Sequence, residues 1–160
     1  MSGLTHLDEH GSARMVDVGA KAETARSATA TGRIAMNAAA LAAIRDGTVP
    51  KGDVLAAARI AGIMAAKQTA SLIPLCHPLA LSKVDIEFQV EPENGRIKAT
   101  CFCKLSGKTG VEMEALTGVN IALLTLFDMC KAIDPAMHIE GVKVLEKVGG
   151  KTGHWQNTSE

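Results

Sequence analysis

An acid and a lysine three positions apart, Asp128 and Lys131, interrupt the most apolar stretch of this 160-residue chain. On a helix, positions i and i+3 are neighbours, so the two side chains meet. At a surface they form an ordinary intrahelical ion pair. In an enclosed cleft, where a charge is costly unless compensated, an acid beside a lysine is a proton-transfer couple. Their setting in an apolar face favours the enclosed arrangement.

Three other segments could carry chemistry. Pro74-Leu75-Cys76-His77-Pro78 is stiffened by two prolines, and His77, which precedes a proline, is held extended. It can present Cys76 and His77 to a site, or serve as a connector with a surface histidine. A Cys-His nucleophile is disfavoured, because adjacent residues of an extended segment point opposite ways. Gly-Lys-Thr-Gly occurs at 107–110 and again at 150–153. A Walker loop needs a glycine five positions earlier, where this chain has Phe102 and Leu145. Neither copy is a P-loop, but either can cradle an anion with backbone N–H groups. Thr109-x-x-Glu112 reads as a capping box, which gives Glu112 a structural role. Glu114 leaves the helix in another direction. Two acids beside a phosphate would repel it, so Glu112 and Glu114 suit an N–H-rich, guanine-like ligand edge.

The composition narrows the options. Lys+Arg and Asp+Glu both number 17, so formal net charge is zero. A neutral chain is a poor general binder of nucleic acid, and any anion site must be a local cluster. Aromatic residues are 2% of the chain, with Trp155 the single tryptophan, too few for a base-stacking platform. The four cysteines, at 76, 101, 103 and 130, form no C-x-x-C, which favours reduced thiols, a cytoplasmic setting and no metal site. The first 14 residues lack a signal-peptide core. The longest uncharged apolar run, Ala115 to Phe127, is 13 residues, short of a membrane span, so no membrane association is expected.

Elements that would position these groups can be read from pattern. Val84, Ile86, Phe88 and Val90 alternate with polar residues, as do Ile97, Ala99, Cys101, Cys103 and Leu105. With Asn94-Gly95 between them they predict a β-hairpin whose two cysteines face the core. A strand is expected near 23–34, a short helix over 36–44, a helix over 54–72 with Asp53 as its N-cap, and a last strand near 139–147. The stretch 111–133 predicts a helix apolar around most of its circumference, hence buried on more than one side and implying a partner subunit. The order is that of a ferredoxin-like βαββαβ α+β domain, an antiparallel sheet with helices packed on one face. Residues 1–13 read as a flexible arm, 14–148 as the single domain and 149–160 as a Gly-rich polar tail.

The segments Met15-Val-Asp-Val, Lys51-Gly-Asp-Val, Ala58-Arg-Ile-Ala-Gly-Ile, Leu72-Ile-Pro-Leu-Cys-His-Pro-Leu, Ser106-Gly-Lys-Thr-Gly-Val-Glu-Met-Glu-Ala-Leu-Thr and Asp128-Met-Cys-Lys-Ala together resemble the cyclic pyranopterin monophosphate synthase family of molybdenum-cofactor biosynthesis. The resemblance spans residues 15 to about 153. It implies a lyase that converts (8S)-3′,8-cyclo-7,8-dihydroguanosine 5′-triphosphate to cyclic pyranopterin monophosphate and diphosphate. It also implies a ferredoxin-like subunit in a homohexamer of three dimers. No cofactor is required, although magnesium could accompany the triphosphate. Functional positions carry over to Lys51, His77, Glu112, Glu114, Asp128, Lys131 and Lys147. Substrate contacts carry over to Leu75, Cys76, His77, Met113 and Glu114. Asp128 and Lys131 are the expected proton couple, with His77 assisting. Lys51, Lys131 and Lys147 would meet the phosphates, with Lys67 and Lys151 as further candidates. A nucleotide sensor or a structural assembly module on the same fold are the competing readings; the former needs no proton couple, and the latter leaves the polar residues of the long helix unexplained.

Overall fold

The computed structural model describes residues 5–159, so residues 1–4 of the expected arm and Glu160 of the tail lie outside the described residues. Five strands form one sheet in the order β2-β3-β1-β4-β5, each pair antiparallel. They are β1 (Thr24–Ala35), β2 (Lys83–Glu91), β3 (Arg96–Gly107), β4 (His138–Val148) and β5 (His154–Gln156). The helices are α1 (Ala38–Asp46), α2 (Val54–Lys67), α3 (Thr69–Leu72) and α4 (Glu112–Cys130). The first four strands have the ferredoxin-like order expected from pattern. The tail contributes β5, which pairs with β4 through Glu146↔Gln156, Lys147↔Trp155 and Val148↔His154.

The hairpin follows its alternation. Ile97, Ala99, Cys101 and Cys103 are fully buried, and Leu105 is nearly so. The turn is a 3₁₀ segment, Pro92–Asn94, that ends at Gly95 in the left-handed region (φ 63°). Cys101 and Cys103 face the helices with their sulfurs 3.8 Å apart. Asp53 caps α2 by accepting from the Ala56 N–H (3.1 Å).

Three helical expectations are corrected. The helix over 54–72 is two helices, because the backbone leaves helical geometry at Gln68, and Thr69 Oγ1 donates to the carbonyls of Ala65 and Ala66. The long helix stops at Cys130 rather than 133 and continues as a turn over 131–133. The capping box does not form. Val111 occupies the N-cap without a side-chain bond, so Thr109 lies two positions too early.

By length and composition α4 could cross a bilayer. Here it packs across β1, β3 and β4 and against α2, with Val119, Ala122, Leu123 and Leu126 fully buried. The α2–α4 contact is close because glycines line it. An added Cβ at Gly62 would fall 2.8 Å from the Gly118 carbonyl, and one at Gly118 would fall 2.7 Å from Cys101 Sγ. The outer helical face carries exposed Ile60, Met64 and Leu124. Gly118→Ala should therefore cost about 1–3 kcal/mol through overpacking, read as a lower thermal midpoint. An unchanged midpoint would show that the Cys101 side chain can give way at no cost.

Candidate active site

The two ends of α4 hold the chemistry, and the element order explains how. The helix α2 runs beside α4 with Lys51 just ahead of its start and the Pro74–Pro78 segment just beyond its end. Lys51 thereby meets the C-terminal end of α4, while Cys76 and His77 meet its N-terminal end.

At the N-terminal end is a cavity of about 430 Å³. Leu75, Cys76 and His77 line one side, and Glu112, Met113 and Glu114 line the other. Six of the expected site residues are thus brought together from segments far apart in sequence. Glu114 is buried, 3% exposed. Its Oε2 accepts from the Cys76 thiol (3.6 Å), and its Oε1 is buried with no hydrogen-bond partner among the described residues. Burial, helped by the nearby Glu112 charge, raises the Glu114 pKa above the usual carboxylate range. The Cys76 thiol is pushed up to about 11 by burial first and then by Glu114. It is a protonated donor near neutral pH, which agrees with the case against a thiol nucleophile.

Glu112 turns the other way. Its carboxylate folds over Gly110, where a Cβ would fall 2.5 Å from either oxygen, and pairs with Lys147 (3.3 Å). His77 Nε2 donates to the Val16 carbonyl (2.6 Å), and Lys108 donates to the Gly19 carbonyl (3.2 Å). These bonds hold the segment before β1 against the cavity, so that His6, Val16 and Val18 form its outer wall. Sequence reasoning missed these wall residues, since no periodicity marks a loop that packs on another loop.

A second cavity of about 320 Å³ adjoins the first, with Lys21, Gly110 and Glu112 common to both. Lys147 and Lys151 line it, as do Arg26 and Ser27. Arg26 and Lys21 were not singled out from the sequence. The second Gly-Lys-Thr-Gly loop forms part of this wall, which was its only legible signal. Lys67, in the last turn of α2, lines neither cavity.

At the other end of α4, Asp128 Oδ1 accepts from Lys131 Nζ (2.8 Å), and Asp128 Oδ2 lies 3.5 Å from Lys51 Nζ. The pair forms as the spacing requires, but it is not enclosed within the chain. The Asp128 and Lys131 side chains are 59% and 55% exposed, because α4 ends there and its last turn emerges from the core. The Lys131 hydrogen bond, then the charges of Lys131 and Lys51, holds the Asp128 carboxyl below its ordinary range. Glu114 and Asp128 are fourteen helical steps apart, about 21 Å along the axis. Within one chain the pair cannot act in the cavity at the other end. Among the described residues no three His, Cys, Asp or Glu side chains converge as a metal-binding group.

The fold and these sites define a ferredoxin-like α+β protein with a buried carboxylate in a small-molecule cavity, a basic cavity beside it and an exposed acid–lysine cluster. The chain belongs to the MoaC family, whose sequence profile matches residues 15–150. It is 57% identical over 152 residues to the cyclic pyranopterin monophosphate synthase of Desulfitobacterium hafniense, covering 95% of this chain and 93% of that one. It is 58% identical to the synthase of Novosphingobium aromaticivorans over 98% of both chains. Identity to the Heliobacterium modesticaldum synthase is 53%, over 97% of this chain and 98% of the other.

The buried Glu114 has a measurable consequence. Its folded pKa lies above the unfolded value, so the folded state binds the extra proton between the two. The Glu114 contribution to stability is therefore greatest at low pH and falls as pH rises above about 4.3. Glu114→Gln, which carries no charge to bury, should melt higher than wild type at neutral pH, with the difference shrinking toward pH 4. A pH-independent difference would show that Glu114 is not buried in solution.

Proposed function

We propose that this protein is a cyclic pyranopterin monophosphate synthase. It converts (8S)-3′,8-cyclo-7,8-dihydroguanosine 5′-triphosphate to cyclic pyranopterin monophosphate, releasing diphosphate, in molybdenum-cofactor biosynthesis. The observation that carries this reading is the meeting of Leu75–His77 with Met113–Glu114 in one cavity beside a basic one, in a chain so similar to synthases over its length. The purine-derived ring presents N–H groups, and a buried carboxylate with an unpartnered oxygen is a matching acceptor. The phosphate end needs clustered cations, which the neighbouring cavity supplies.

The ring must open and reclose as a pterin, which takes several proton transfers. Asp128, Lys131 and Lys51 are the groups for that work, with His77 assisting from the cavity. Asp128 is ionised near neutral pH, as a base must be, and two ammonium groups beside it can donate. Because this cluster stands about 21 Å from Glu114, the active site is composite. One subunit supplies the cavity, and a second supplies Asp128, Lys131 and Lys51. Exposed Ile60, Met64 and Leu124 favour an obligate homo-oligomer, read here as a hexamer of three dimers. No resident cofactor is assigned; magnesium arriving with the triphosphate would be part of the substrate. The proposed setting is the cytoplasm.

Light scattering at micromolar concentration should show an even-numbered oligomer, and a stable folded monomer of 16.7 kDa would overturn the composite site. Asp128→Asn should lower turnover by roughly 10²–10⁴-fold, the range for a positioned proton-transfer group, with substrate binding changed far less. Diphosphate release followed by phosphorus NMR reads this. Mixing Asp128→Asn with Glu114→Gln subunits after dissociation and reassembly should restore turnover, because some interfaces then hold one intact site. Near-wild-type release by folded Asp128→Asn protein would reduce the pair to a surface ion pair.

A further inference from the structure

Met15-Val-Asp-Val and Lys108 of the first Gly-Lys-Thr-Gly have no part in the chemistry described so far, and the fold joins them. Residues 5–22 form a strap across the cavity at the N-terminal end of α4, with His6, Val16, Val18 and Lys21 lining it. None of these eighteen residues is buried; Asp8, Val16 and Val18 are half-buried and the others exposed. Residues 6–14 fold back on themselves, with Leu7 paired to Ala13 and the Arg14 N–H donating to the His6 carbonyl (2.8 Å). Among the described residues no backbone hydrogen bond ties the strap to the rest of the chain. Two side chains do so instead: His77 at the Val16 carbonyl (2.6 Å) and Lys108 at the Gly19 carbonyl (3.2 Å). They come from opposite walls, since Leu75–His77 line one side of the cavity and Thr109 and Gly110, next to Lys108, line the other. A segment without core residues stays in place only as well as such bonds hold it.

We propose that Lys108 is a positioning residue for the reaction. By pinning the strap at Gly19 it holds the Val16 carbonyl on His77, and so fixes His77 as the Nε2–H tautomer with Nδ1 as its proton-accepting nitrogen. The proposal rests on the synthase reading above and deepens it.

The tautomer follows from the chemistry of the bond. A backbone carbonyl can only accept, so His77 Nε2 must carry a proton. In the neutral ring the lone pair is then on Nδ1, and a histidine set this way can take a proton there. The strap is shaped to deliver that carbonyl. In an extended segment alternate residues face the same way. Val16 and Val18 accordingly line the cavity, while Asp17 between them is exposed. Asp17 Oδ1 accepts from the Gly19 N–H (2.8 Å), and the Lys21 N–H donates to the Val18 carbonyl (3.1 Å). The chain thus turns at Gly19, where its carbonyl takes the Lys108 ammonium. Only two residues separate Gly19 from Val16, so where Lys108 holds the strap decides where the Val16 carbonyl stands. Lys108 is half-buried and lines neither cavity, which leaves it the strap and not the substrate to act on. A hydrogen bond from a charged donor is the stronger kind, and suits a single anchor.

The test is nitrogen-15 NMR of the full-length protein labelled at its five histidines, with His77 assigned by its loss in His77→Asn. At about pH 8, above the ordinary histidine range, wild-type His77 should show one tautomer, protonated at Nε2. Lys108→Ala should give a mixture of both tautomers, and Lys108→Arg, which keeps a cationic donor, should restore the single one. Lys98→Ala, a cation on β3 that lines neither cavity, should change nothing. If Lys108→Ala fails to fold, Asp17→Ala, which removes the acceptor of the Gly19 N–H, takes its place and should give the same mixture. In turnover assays with the cyclic dihydroguanosine triphosphate, Lys108→Ala should lower kcat by roughly tenfold, part of the 10²–10⁴-fold worth of a positioned proton-transfer group, and change KM far less. A wild-type His77 protonated at Nδ1, or an unchanged tautomer in folded Lys108→Ala, overturns the proposal. So does a raised KM with kcat intact, which would make Lys108 a substrate contact. A tautomer that follows Lys108 in a protein without turnover would leave the coupling of strap and histidine standing and overturn the synthase reading instead.

Discussion

The middle of α4, from Ala115 to Phe127, carries no charged side chain, and the layout of the sites depends on that. The helix lies between the sheet and α2, packed so closely that a Cβ on Gly62 would meet the Gly118 carbonyl and one on Gly118 would meet Cys101 Sγ on β3. A helix held this way must be apolar along its length, since a charge in the middle would be buried without compensation. Its charged side chains stand at the two ends. Glu112 and Glu114 occupy the first turn, and Asp128 stands in the last. The segments flanking α2 then deliver Lys51 to one end and Cys76–His77 to the other. The separation of the two polar clusters is thus a consequence of packing.

The same arrangement sets apart two carboxylates of similar chemistry. Glu114 is buried against a protonated thiol and is pushed toward its neutral form. Asp128 is exposed beside two lysines and is pulled toward its charged form. Environment alone makes one suited to hydrogen bonding an N–H-rich ring and the other suited to taking a proton. The Cys76 thiol donates to Glu114 Oε2. Its pKa near 11 keeps it a donor, and the donated bond orients Glu114 Oε2 so that Oε1 is left without a protein partner.

Much of this was legible in the sequence, for identifiable reasons. The hairpin was clear because burial on one face imposes alternation on Ile97 through Leu105. Lys131 lies three residues beyond Asp128, so their pairing followed from helical geometry. The enclosure expected for that pair does not arise within one chain, since an apolar neighbourhood in sequence does not say where the helix emerges from the core. The capping box failed by two residues, because the helix starts with Val111 and not Thr109 at its N-cap. Arg26, Lys21 and Val16 were invisible because each acts through a partner more than 60 positions away or through a loop with no period: Arg26 reaches Gly107 and Val16 meets His77. The family resemblance supplied the cavity residues together, and local pattern alone would have left Lys51 and His77 as a loop lysine and a connector.

Topology accounts for the repeated Gly-Lys-Thr-Gly segments better than any phosphate-loop motif. In this sheet β1 lies between β3 and β4, antiparallel to both. Its first residues therefore sit beside the last residues of two strands: Thr24 opposite Gly107, and Ser27 opposite Val148. Each copy of the segment begins at or just after one of those strand ends. Two loops of the same composition thus converge on one side chain, Arg26, which bonds the end of the first and packs under the second. A neutral chain cannot attract a triphosphate by net charge. It can do so by folding three strand ends onto one another, which concentrates cations spread from Lys21 to Lys151 in a cavity of about 320 Å³ beside the buried carboxylate.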